Sequence, residues 1–221
     1  MTPGEISLAH KGILFFDELP EFPREVLEVL RQPLEDKMVT ISRAQGSVTY
    51  PASFMFVAAM NPCKCGFYKD HQKQCTCSLM DIKKYQSKIS GPLLDRFDMI
   101  LEVPRESVET ILDKASSQSS ADIREVVIKA WEKQQERFGH DGWSTNSSLD
   151  PSVIQKYIIL DADAEEFLKQ AANKLHLSAR VVHRMLKLGR TIADIADSEK
   201  VTKNHIAEAL QYRSKTLFIE E

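Results

Sequence analysis

The chain has 221 residues, 43% hydrophobic and 28% charged, with a net charge of -3, the make-up of a globular protein with one large or two small domains; collagen-like and disordered classes are excluded. No apolar run approaches the roughly 20 residues a membrane helix needs, and no basic segment followed by an apolar core opens the sequence, so a cytoplasmic location without a membrane partner is expected. The net charge also excludes a uniformly basic nucleic-acid binder, yet residues 64–88 hold six lysines against two aspartates, a local +4.

Residues 12–22 read GILFFDELPEF. The short apolar run Ile13–Phe16 predicts a strand buried on both faces of a parallel sheet, and Asp17 and Glu18 fall at its carboxyl end, where open α/β sheets bind ligands. Paired acids there suit magnesium and an activated water, although a strand leading into a polar turn leaves the same trace. A helix is expected over Pro23–Leu34, with Val26, Leu27 and Leu30 as its apolar stripe. VTIS (39–42) and SVTY (47–50) flank Arg43-Ala44-Gln45-Gly46 and predict a β-hairpin. SFMFVAAM (53–60) reads as a second buried strand ending at Asn61-Pro62, and MILEV (99–103) as a third.

Cysteines 63, 65, 75 and 77 form C-x-C-x9-C-x-C. They are too clustered to staple a fold of this size, and four thiolates suit tetrahedral zinc, even though one-residue gaps are tighter than usual; His71 is an alternative ligand, and reduced cysteines in a loop are the other reading. The same segment carries Lys83, Lys84 and Lys88 beside Phe67, Tyr68 and Tyr85, charges for phosphate and faces for stacking single-stranded nucleic acid.

The polar run between Arg105 and Ala121 marks a linker, so the expected division is an α/β domain at 1–104, a linker at 105–121 and a helical domain at 122–221. Apolar residues at three- and four-residue spacing from Ile123 to Trp131 begin the helical part, and Gly139–Ser148 is a polar loop. Asp163 with Glu166 predicts a capping box for a helix burying Phe167, Ala171 and Leu175. Ser178 and Thr202 are expected to cap the last two helices.

The stretches GEISLAHKGILFFDELPEFPREVLEVLRQPLEDKMVTISR, VAAMNPCKCG, ISGPLLDRFD, LSARVVHRMLKLGRTIADI and HIAEALQYR resemble the magnesium-chelatase-like AAA+ ATPase family, in its ComM/YifB branch, over nearly the whole chain. The resemblance implies the C-terminal half of an AAA+ α/β core, a parallel sheet with helices, followed by an all-helical lid. It implies ATP and magnesium as cofactors, Asp17 as the Walker B acid, Glu18 as the residue that polarises water, and Asn61 as sensor 1. Arg96 resembles an arginine finger acting in trans, which requires a homo-oligomeric ring, expected to be a hexamer; an ion pair with Asp95 or Asp98 is the plainer reading. Arg180, just after the Ser178 cap, resembles sensor 2, whereas Arg184 and Lys187 read as a solvated stripe. By analogy with ring helicases the hairpin points into a pore, with Arg43 on DNA.

No G-x-x-x-x-G-K-[ST] occurs among the 221 residues. The expectation is therefore a C-terminal piece of a longer protein, its P-loop strand and a Lon-like domain upstream, with Met1 a cloning start or a truncated frame. The function expected of the parent is an ATP-driven DNA branch-migration helicase; a chelatase ATPase and a non-enzymatic zinc-bearing nucleic-acid module are the alternatives.

Overall fold

Ile13–Phe16 forms strand β1 in the computed structural model, which describes residues 3–43, 46–106, 118–139 and 141–213, leaving the side chain of Arg43 undescribed. Ahead of it lies the short helix α1 (Glu5–Leu8), and after it a 3-10 turn, Leu19–Glu21. The helix expected over Pro23–Leu34 is two pieces, α2 (Arg24–Val29) and α3 (Arg31–Asp36). Pro33 accounts for the break, because it lacks the N–H that would bond to Val29. Leu27 and Leu30 are buried as expected, but Val26 is 42% exposed.

The hairpin forms as β2 (Met38–Arg43) and β3 (Gly46–Pro51), antiparallel with Ile41 opposite Val48; residues 44 and 45 of its turn lie outside the described residues. Strand β4 (Met55–Ala58) pairs in parallel with β1, Leu14 opposite Phe56. Burial on both faces is not observed. Leu14, Phe16 and Phe56 face a core with Leu19, Leu27, Leu30, Phe54, Ile89 and Leu93, whereas Ile13 (64%), Phe15 (58%) and Met55 (63%) are exposed on the alternate positions. The reason is that, among the described residues, β1 and β4 form a sheet of only two strands with packing on one face. Helices α4 (Leu79–Gln86) and α5 (Gly91–Leu94) follow, capped by Ser78 and Ser90.

MILEV does not form a strand. Ile100 N–H donates to Tyr212 O at 2.7 Å, Leu101 and Val103 are exposed, and no strand pairs with the segment among the described residues. The expected linker falls largely on 107–117, outside the described residues.

The described residues divide into two compact units, 3–97 and 98–213. The second contains α6 (Ser120–Phe138), 3-10 turns at Asn146–Ser148 and Pro151–Val153, α7 (Ile154–Tyr157), α8 (Ala162–Lys174), α9 (Ala179–Ile195) and α10 (Lys203–Gln211). The cap of α8 is Asp161, whose carboxylate accepts from Ala164 N–H at 2.7 Å, two residues before the expected position. Its buried face shifts accordingly to Ala164 and Leu168, leaving Leu175 56% exposed. Ser178 caps α9 through Val181 N–H, and at Thr202 the N–H donates to His205 Nδ1 at 3.1 Å. Helices α9 and α10 meet at Gly189, where an added Cβ would lie 2.9 Å from Ile206 Cδ1.

The expected polar loop 139–148 holds a buried residue, Asn146, 1% exposed. Its amide donates to Asp194 Oδ2 (2.8 Å) and Thr191 Oγ1 (3.0 Å). Asp194 also receives Arg190 Nε at 3.1 Å and the guanidinium of Arg137. Arg190 spends its remaining N–H groups on the carbonyls of Ser198 and Glu199, where α9 ends. Burial, then the Arg137 charge, lower the Arg190 pKa against the pull of Asp194. No described helix is long and apolar enough to cross a membrane.

Candidate functional site

The parallel pairing of β1 and β4 runs past both strands: Ala59 N–H donates to Phe16 O (2.8 Å) and Leu19 N–H to Ala59 O (3.0 Å). Asp17 and Glu18 on one strand end, and Asn61 on the other, therefore project from neighbouring carboxyl ends, and all three are exposed. Glu18 has a left-handed backbone, φ +51° and ψ +47°. For a residue with a Cβ this costs about 1 kcal/mol, a strain that the surrounding bonds must hold. Its N–H donates to Asp17 Oδ1 at 2.9 Å, and its carbonyl accepts Glu21 N–H at 2.7 Å, closing the 3-10 turn.

Asn61 leads directly into the cysteine loop. Gly66, at φ +81°, supplies the reversal that brings Cys65 back beside Cys63, its N–H donating to Cys63 O at 3.0 Å. The Sγ atoms of Cys63, Cys65, Cys75 and Cys77 all lie within 4.8 Å of one another; Cys63 is 3.4 Å from Cys65 and 3.7 Å from Cys75, and Cys65 is 3.5 Å from Cys75. Zn–S bonds of about 2.3 Å in a tetrahedron separate sulfurs by about 3.8 Å, so the donor set and its spacing fit zinc. Backbone N–H groups of Phe67 and Thr76 pull the Cys65 thiol down to about 5. At Cys75 the Cys77 N–H acts the same way, but burial and the neighbouring sulfurs push it up to about 12. Thiolates this close repel one another, a repulsion that a bound cation would remove. His71 is outside this cluster.

The helix after the loop, α4, exposes Lys83 and Lys84, and Lys88, two residues past its end, is half-exposed. Tyr85 is 4% exposed and offers no stacking face, a correction to the expectation for it. Phe67 and Tyr68 are partly exposed, each with a lysine nearby, Lys73 Nζ lying 4.1 Å from the Phe67 centroid and Lys69 Nζ 5.5 Å from that of Tyr68. Arg43 ends β2 opposite Gly46; its side chain lies outside the described residues.

Arg96 pairs with neither Asp95 nor Asp98. Its Nη2 donates to Glu35 Oε2 (2.7 Å), Nε to Arg31 O (2.9 Å) and Nη1 to Pro92 O (2.7 Å), with the side chain 11% exposed. Glu35 lies 61 residues upstream, and no local spacing marks it as a partner. Arg180 belongs to the second unit and is exposed in the first turn of α9. Arg184 and Lys187 are not a solvated stripe: Arg184 pairs with Asp98 at 3.2 Å and Lys187 donates to Ser147 O.

Comparison with known proteins finds matches over nearly the whole chain. The profile for magnesium chelatase, subunit ChlI, matches residues 1–111, and the profile for the C-terminal part of that subunit matches 117–213. Competence protein ComM of Haemophilus influenzae is 43% identical over 222 residues, 99% of this chain and 42% of that protein. The uncharacterized protein YifB of Salmonella typhimurium is 42% identical over 214 residues, 96% of this chain and 41% of that protein. DNA replication licensing factor Mcm6 of Drosophila melanogaster is 22% identical over 221 residues, 97% of this chain and 26% of that protein. The chain spans about two fifths of the length of ComM and YifB. With both halves matched by the chelatase profiles and this level of identity to ComM and YifB, the chain belongs to the magnesium-chelatase-like family, in the branch that holds those two proteins.

Proposed function

We propose that these residues form the C-terminal part of an ATP-hydrolysing AAA+ ring motor that acts on DNA as a branch-migration helicase. The observation that carries the reading is that Asp17 and Glu18 on one side, and Asn61 on the other, lie just beyond the neighbouring carboxyl ends of two parallel strands, with Glu18 in a strained backbone. Asp17 would hold hydrated magnesium, which would neutralise charge developing on the phosphates. Glu18 accepts the proton of the attacking water, and the Asn61 amide hydrogen-bonds water and phosphate together, which a third acid could not do without repulsion. The phosphate cradle, absent from the 221 residues, is supplied by chain outside them. Arg96 serves a neighbouring subunit of a homo-oligomeric ring, a hexamer, by exchanging Glu35 for phosphate, and Arg180 serves the nucleotide from the helical unit, which acts as the lid. Phosphate release by the complete protein, stimulated by forked DNA, tests the reading. Stimulation by a porphyrin-bearing partner instead would assign it to metal insertion, and binding of DNA without turnover would make it a non-enzymatic module.

The cysteine cluster holds zinc in this reading. Metal analysis of protein purified without chelator should give about one zinc per chain. Less than a tenth of that, with four freely titrating thiols, rules it out. The lysine face of α4, with Arg43 on the hairpin, contacts DNA phosphates. Replacing Lys83, Lys84 and Lys88 together by glutamine should lower the slope of log affinity against log salt by about 2 to 3. An unchanged slope removes α4 from the interface.

A further inference from the structure

Helix α4 faces two ways. Its lysines lie on the surface, while its other side is anchored to both strand ends of the candidate site. Gln86, 5% exposed, donates its amide to Pro62 O at 2.9 Å, holding the peptide next to Asn61. Tyr85 is buried, and burial, then the charges of Glu21 and Glu18, raise its phenol pKa. Lys88 extends over the Tyr85 ring, 5.8 Å from its centroid, and reaches Glu21 Oε2 at 3.5 Å. Glu21 in turn gives its N–H to the Glu18 carbonyl. Between Glu21–Arg24 and Ser87–Lys88 lies an open cleft of about 400 Å³.

We propose that Lys88 couples polynucleotide binding to nucleotide turnover, because a backbone phosphate entering this cleft competes with Glu21 for its ammonium and so releases the turn that holds Glu18. The inference rests on the motor reading above and names its regulation. Tyr85 and Gln86 fix the end of the helix, and Lys88, two residues beyond it, is open to solvent: its side chain is 41% exposed and that of Glu21 57%. An exposed ion pair of this kind is weak enough for a phosphate, which binds an ammonium with its own charge and releases a counterion, to displace it. While Lys88 holds Glu21, the side chain and N–H of Glu21 together pin Glu18 in its left-handed resting form; once freed, only the N–H remains, and Glu18 can relax that strain and turn its carboxylate to the attacking water. Glu21 and Lys88 are positioning residues acting through Glu18, and neither touches the reacting phosphate.

The test uses the complete protein as wild type, Glu21→Gln, Lys88→Gln and the double variant. Turnover is measured with and without an oligodeoxythymidylate, whose affinity is measured in parallel. Glu21→Gln should raise turnover without oligonucleotide about two- to fivefold, the range of a surface ion pair. The saturated rate should stay unchanged, so stimulation shrinks by the same factor, and the oligonucleotide should bind more tightly because Lys88 is free. Lys88→Gln should give the same gain without oligonucleotide but weaker binding. The double variant should gain no more than either single one. A purely structural role would move stability and not this split between basal and stimulated rates. If wild type is stimulated and Glu21→Gln leaves both basal rate and affinity unchanged, or the two substitutions add, the coupling is wrong and the motor reading stands. If wild-type turnover does not respond to the oligonucleotide, the DNA reading itself falls and the coupling with it.

Discussion

Replacing Glu18 by glutamine in the complete protein is expected to lower ATP turnover by about 10²- to 10⁴-fold while leaving ATP binding close to its original strength. Glutamine keeps the length of the side chain and meets the same left-handed backbone, so the 3-10 turn at Leu19–Glu21 is retained. What is lost is a group that can take the proton of the attacking water. Asp17→Asn should behave differently, weakening nucleotide affinity together with turnover, because in the proposed reading it removes the charge that would hold magnesium beside the phosphates. The 221-residue chain by itself should release no phosphate, since positioning supplies most of this catalysis and nothing in it cradles the phosphates. Steady-state phosphate release and nucleotide-binding titrations on the variants decide the matter. Turnover by the isolated chain at the rate of the complete protein would mean that Asp17 and Glu18 are not part of a phosphate site.

The second large effect is expected in the helical unit. Asp194→Ala should destabilise that unit by about 3–5 kcal/mol, the cost of leaving buried charges without their partner. Asp194 is 2% exposed and is the single carboxylate facing Arg190, Arg137 and the Asn146 amide in that network. Without it two guanidinium groups confront each other, and Asn146, itself 1% exposed, loses one of the two bonds its amide nitrogen donates. Urea unfolding followed by circular dichroism measures the change. A loss under about 1 kcal/mol would show that water enters and solvates the two arginines, and that the network contributes little.

The sequence discloses a good deal of this architecture, and the limits have physical causes. The strand Ile13–Phe16, the hairpin, the caps at Ser178 and Thr202 and the cysteine cluster depend on neighbours close along the chain, where period and residue type are informative. Burial on both faces of β1 failed because a run of apolar residues reports what a strand can bury, not whether a second layer is present. MILEV failed for a related reason: β propensity without a strand to pair with leaves an irregular segment. The Asp161 cap was displaced by two residues because DADAEE offers several carboxylates in a row. Long-range pairs carried no signal at all. Glu35 with Arg96, Gln86 with Pro62, and Asp194 with Arg137 join residues 61, 24 and 57 positions apart, and a single sequence has nothing that marks such pairs.

The side of the β1–β4 ribbon left uncovered among the described residues bears on how these 221 residues behave when they are expressed by themselves. Ile13, Phe15 and Met55 form a greasy strip, and each of the two strands has one edge without a ladder partner among the described residues. Such an edge is a template for pairing with any passing chain. An α-helix closes its hydrogen bonds between residues one turn apart, whereas a parallel ribbon must close a loop of some forty residues before Ile13 meets Met55. Nascent copies crowded on one messenger would therefore expose the strip for the longest time. Insoluble yield that rises with expression rate and falls at lower temperature, and that a charged residue in place of Phe15 relieves, is the behaviour this ribbon dictates.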